Sequence, residues 1–115
     1  MIDGFFHIAF TGTAGSGFGV LVLREGNIAG VDVAGVVYDG TYKENLESGQ
    51  IDLHVNVAAP AGVAPVQTGV PVATTVNYPI DATLVLEDLT SDNPILLPTP
   101  LGPVNMIIKK IRDFP

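Results

Sequence analysis

Gly26-Asn27-Ile28-Ala29-Gly30-Val31-Asp32-Val33-Ala34-Gly35-Val36-Val37-Tyr38-Asp39-Gly40-Thr41-Tyr42 is the stretch from which the fold is read. It reads as a strand, a turn and a second strand. Gly26-Asn27, Gly30 and Gly35 are turn chemistry, because Gly and Asn reach positive φ at little steric cost. The β-branched and aromatic residues between and after them suit a pleated surface. Val36, Tyr38 and Tyr42 share one face. Gly40 among them marks a bend or bulge of the kind a small closed barrel needs.

Strands can be placed on both sides of this pair. Phe5 to Thr11 alternates, with Phe6, Ile8 and Phe10 on one face. Gly12 to Gly17 reads as a turn. Phe18 to Arg24 follows, with Phe18, Val20 and Val22 on one side and Leu21 and Leu23 on the other. Both sides are apolar, which predicts burial on both. Arg24-Glu25-Gly26-Asn27 is a tight hairpin. Lys43 to Gln50 reads as a polar loop. In Ile51 to Val57 the aliphatic residues point in, while Asp52, His54 and Asn56 point out.

Ala59 to Pro71 holds three Pro and two Gly among small residues. It reads as a long crossing loop, of the sort that is often functional or mobile. Val72 to Tyr78 can be extended. Pro79 interrupts, and Ala82 to Asp88 resumes as strand. Ile95 to Leu97, hemmed by prolines, belongs at an edge or rim. Asn105 to Arg112 is a last strand, with Ile107 and Ile111 on one face and Met106 and Ile108 on the other. No helical periodicity exceeds a turn or two, and no linker divides residues 1–115. The expected fold is one all-β domain, an antiparallel closed barrel of about eight strands, with a two-sheet sandwich as the alternative.

Composition limits the function. The 115 residues hold thirteen Gly, nine Pro and no Cys, so disulfides and thiolate metal sites are excluded. Hydrophobic content of 47% argues against disorder. A net charge of -7 disfavours direct nucleic-acid binding and favours a partner with a basic surface. No signal peptide or apolar run near about 18 residues is visible, so neither export nor a membrane span is expected. The absence of Cys fits a cytoplasmic protein.

Chemistry-bearing candidates are few. Gly15-Ser16-Gly17-Phe18-Gly19 lacks the helix that a phosphate cradle needs, since a strand follows it. His7 and His54 have nothing to bring them together as metal ligands. Asp32 is explained by Asx bonding in its turn, and Asp39 points outward. No nucleophile elbow is present. The expectation is therefore a non-enzymatic protein with no cofactor and no metal. Phe6, Phe10, Phe18, Tyr38 and Tyr42 are the residues that would line an apolar ligand cavity, if one is open. Leu21, Leu23, Ile107 and Ile111 are the excess apolar surface that a second copy would cover, which predicts a homodimer.

Asp3-Gly4 before an aromatic strand, Gly17-x-Gly19, Asn27-x-x-Gly30-x-Asp32, Tyr38-x-Gly40-x-Tyr42 and the closing Lys-Lys-Ile-Arg strand form an ordered pattern. It resembles the GrlR-like family, the small bacterial proteins grouped with the type III secretion negative regulator. The resemblance implies a lipocalin-like up-and-down barrel, often dimeric. It also implies indirect repression by sequestering an activator through carboxylates in the loop after the Tyr-x-Gly strand. Here that loop offers Glu44 and Glu47. The alternative function is a carrier or sensor of a small apolar ligand held in the barrel.

Overall fold

A computed structural model describes residues 2–115. Eight antiparallel strands form one sheet: β1 Gly4–Gly12, β2 Gly15–Arg24, β3 Asn27–Asp32, β4 Val37–Asn45, β5 Gln50–Ala59, β6 Val76–Val85, β7 Ile95–Leu97 and β8 Val104–Arg112. The hydrogen-bonded order is β6-β5-β4-β3-β2-β1-β8-β7. Sequence neighbours are thus spatial neighbours, and the sheet closes on itself through β1 and β8. Only the β6/β7 seam lacks a ladder, so the barrel is nearly closed. A single 3-10 turn, Leu86–Leu89, fills that seam and drives Leu89 into the core at 2% exposure.

The local chemistry explains this meander. The β2–β3 hairpin turns on Glu25 (φ 50°) and Gly26 (φ 82°), a pair of left-handed residues. That geometry matches the twist of the flanking strands, so a two-residue turn suffices. Gly40 is required by close approach: a Cβ there would run into the His54 carbonyl of β5. Gly30 is not a turn residue. It lies inside β3 opposite Leu21 and Tyr38, where a Cβ would run into the Leu21 side chain.

Several boundaries differ from the sequence expectation. β2 begins at Gly15, so the β1–β2 turn is only Thr13-Ala14. β4 runs to Asn45, so the polar loop shrinks to residues 46–49. β6 passes through Pro79 unbroken, paired to Asn56. Its far side has no ladder partner, and an edge strand tolerates a residue without an N–H. Leu86 to Asp88 is the 3-10 turn rather than more strand. Among the described residues no helix is long and apolar enough to cross a membrane.

The inward parity is now fixed. Phe6 and Ile8 of β1, Leu21 and Leu23 of β2 and Ile108 of β8 are buried in the main core. Leu21 and Leu23 therefore do not form a dimer face. They point inward because Leu21 pairs with Phe6 and Leu23 with Gly4, both buried, across β1 and β2. Ile107 and Ile111 do point outward; Ile107 is half-buried and Ile111 is 58% exposed.

Candidate functional site: an apolar cavity at one end of the barrel

The two ends of the barrel differ. At one end Tyr42, Ile51 and Leu84 pack in the main core, and Phe6, Leu23 and Ile28 of the same core reach the cavity wall. Phe6 and Ile51 are wholly buried. Tyr42 donates from its hydroxyl to Asp3, which ties the start of the chain across this end. Asp3 also accepts the Glu25 N–H at 3.1 Å. These two bonds, the tyrosine's first, hold the Asp3 carboxyl below the usual carboxylate range. Burial, with the Asp3 bond second, pushes the Tyr42 phenol up to about 12.

At the other end the interior is not filled. A cavity of about 190 Å3 runs from the middle of the barrel to this end. Phe10, Tyr38, Val55, Tyr78, Ile80 and Met106 form much of its wall, and all are only partly buried. The cavity exists because opposing side chains stop short of each other here. Its mouth reaches solvent beside Ser16 and Ala34, which are exposed.

The long loop of residues 60–75 covers this end. Val63, Ala64, Pro65, Val66 and Gln67 contribute directly to the cavity wall. The loop is folded on itself by Gly62 N–H to Val72 O (2.8 Å) and Val72 N–H to Val63 O (3.0 Å). The Ala14 N–H donates to Val66 O at 2.8 Å, which fastens the loop to the β1–β2 turn. Gln67 Nε2 donates to the Tyr78 hydroxyl (3.2 Å) and to Thr99 Oγ1 (3.3 Å). One side chain thus bridges the loop, β6 and the segment after β7.

Asp32 is the one buried charged residue among the described residues. Its Oδ1 accepts the Ala34 N–H (2.9 Å) and the Val36 N–H (3.1 Å), the Asx arrangement expected from the sequence. Its Oδ2 accepts the Tyr38 hydroxyl at 2.7 Å. Burial first, and then this bond, push the Tyr38 phenol far above its ordinary value. Asp32 is satisfied on three sides, so it shapes the β3–β4 turn and orients Tyr38. It has no second carboxylate to work with, since Asp39 is exposed on the outer face.

Three of the five expected cavity residues are there: Phe6, Phe10 and Tyr38. Phe18 is not. It stands on the outer face of β2, 55% exposed, because residues of its parity oppose Leu21 and Leu23. Tyr42 faces inward but is packed in the main core opposite Leu53 and is not part of the cavity wall. Gln67, Tyr78 and Thr99, the polar groups of the site, were not singled out by sequence reasoning. The Pro-rich composition of the covering loop was the one signal that pointed toward them.

Of the expected partner loop, Glu44 lies within β4 and accepts the Ile2 N–H at 3.0 Å. A carboxylate engaged by its own chain is a correction to the reading of Glu44 as a loop acid. Glu47 is exposed in the turn, beside Leu46. His54 pairs with Asp81 (Nδ1 to Oδ1, 2.7 Å) on the exposed side of β5 and β6. Among the described residues no group of three His, Asp or Glu side chains converges as a metal site would require.

No family model matches the chain, and no curated protein matches it in sequence.

Proposed function

We propose that this protein is a binding barrel for a small apolar molecule, held in the cavity beneath the loop of residues 60–75. One observation carries the reading: the interior is filled at one end and holds about 190 Å3 of empty, mainly aliphatic and aromatic space at the other. Native interiors are close-packed, and each void forfeits dispersion contacts. A void of this size, walled by apolar groups, has a use for a guest. Apolar cavities of about 150 Å3 stay dry and take up benzene-sized molecules. The guest replaces missing packing and gains roughly 25 cal/mol for each Å2 of apolar surface removed from water.

The test is a titration of the full chain with toluene, followed by methyl NMR. The expected result is saturable shifts at Leu21, Val55 and Ile108, with Ile51 and Leu84 at the packed end unmoved. Shifts that never saturate, or that spread evenly over both ends, overturn the reading.

A second reading is a protein-contact surface, and the outer face favours it. Phe18, Val31 and Val33 are 55%, 56% and 64% exposed. They adjoin one another: Val20 pairs with Val31, Val31 with Val37, and the Val33 N–H donates to Phe18 O at 3.0 Å. Water beside so much clustered apolar surface favours association. A second copy of the chain, in the cytoplasm, is the occupant this reading takes. Sedimentation of the protein and of Phe18→Lys tests it: a dimer that the substitution dissociates supports it, and a monomer in both ends it.

A further inference from the structure

Resting on the binding-barrel reading, we propose that the cavity selects neutral, ring-sized molecules with one hydrogen-bond acceptor, met by the Tyr78 hydroxyl, and rejects carboxylates of the same skeleton. Three observations lead there. The first is the charge of the wall. Asp32 is the only acidic or basic side chain among the described lining residues; no Lys, Arg or His faces the space. An ion taken out of water needs a partner of opposite sign, and without one the transfer is prohibitive. A carboxylate guest would find no cation here and would meet the field of Asp32.

The second observation is the state of the polar groups. Asp32 already accepts three hydrogen bonds, and Tyr38 gives its proton to Asp32, so neither is offered to a guest. Thr99 donates to Gly102 O at 2.6 Å and accepts from Leu101 and Gln67. The Tyr78 oxygen accepts from Gln67, which leaves the Tyr78 proton to donate. Burial pushes this phenol up from its ordinary value, with the Asp32 charge adding to it against the Gln67 bond. Tyr78 therefore remains a donor at neutral pH.

The third is size. A volume of about 190 Å3 takes a single ring with a short substituent rather than an extended acyl chain. A carbonyl, ether or alcohol oxygen at the edge of such a ring can meet Tyr78 while the ring packs among Phe10, Val55 and Met106.

The experiment compares toluene, acetophenone and benzoate at pH 7, by NMR titration of the wild type and of Tyr78→Phe. Acetophenone is expected to bind roughly two- to tenfold tighter than toluene, the range of one neutral hydrogen bond. Benzoate is expected to bind more than about a hundredfold more weakly than acetophenone. In Tyr78→Phe, the preference for acetophenone over toluene is lost. Benzoate binding as tightly as acetophenone overturns the exclusion of charge. Equal binding of toluene and acetophenone to the wild type, or a preference for acetophenone that survives in Tyr78→Phe, overturns the role of the phenol. Failure of both neutral compounds to bind the wild type overturns the binding-barrel reading itself, and this inference with it.

Discussion

The two ends of the barrel are built from the same strands and differ in how they are finished. The packed end is closed by side chains: Ile51, Leu84 and Tyr42 belong to one buried cluster there, and Tyr42 bonds to Asp3. The open end is closed by main chain: a loop from residue 60 to 75 lies over it, fastened by the Ala14–Val66 bond and by Gln67. Side-chain closure is dense and holds the fold. Main-chain closure leaves room beneath it and holds by few bonds. The contrast teaches that one small barrel can separate stability from capacity along its own axis.

The largest expected effect comes from breaking the floor between the packed end and the cavity. Phe6→Ala removes a wholly buried ring and should cost about 3–5 kcal/mol in urea unfolding. Phe10→Ala, the same change four residues on in the same strand, should cost about half as much, because Phe10 is only partly buried whereas Phe6 is wholly buried. Equal losses would erase the distinction between the ends. Gly40→Ala tests the wall between them. Its Cβ meets β5 backbone, and about 3 kcal/mol of destabilisation should appear in the same measurement.

At the open end, Asp32→Ala leaves two amides and the Tyr38 hydroxyl without their acceptor and should cost about 2 kcal/mol. Ultraviolet titration should then find the Tyr38 phenol moved down toward its ordinary value. Gln67→Leu should cost only about 1 kcal/mol, but should speed amide hydrogen exchange across residues 62–72 while leaving Ile51 and Leu53 as slow as before.

The smallest effect is a pH slope. Folding lowers the Asp3 carboxyl, chiefly through Tyr42, so its contribution is complete above the ordinary carboxylate value and is lost as pH falls through the folded one. Tyr42 is raised, so its contribution is complete below the ordinary phenol value and is lost as pH rises through about 12. Asp3→Asn should flatten the acid limb of a stability–pH curve. Tyr42→Phe should flatten the alkaline limb.

The strand count and the all-β barrel were legible because turns and alternation are local signals. Ile51 to Val57 shows this: its in–out pattern holds at every position. β2 shows the limit. Phe18, Val20 and Val22 are as apolar as Leu21 and Leu23, so alternation names two faces without saying which is inside. The choice is made by pairing with β1, where Phe6 opposes Leu21. Tyr42 shows a second limit, since parity gives a face but not a height along the axis. The polar groups of the cavity were hidden for a third reason. Gln67, Tyr78 and Thr99 lie on three segments separated by prolines, and only the folded loop brings them within hydrogen-bonding reach.

The missing ladder between β6 and β7 leaves two strand edges, the usual starting point for edge-to-edge fibre growth. Proline sits on both edges. Pro79 lies within β6 as a residue without an N–H, and Pro94 and Pro98 bracket the three residues of β7. An incoming strand would meet a gap in its bonding pattern on either side. The slit that gives this molecule its incomplete wall is thus also guarded against polymerisation, so concentrated protein should stay free of filaments for as long as those prolines remain.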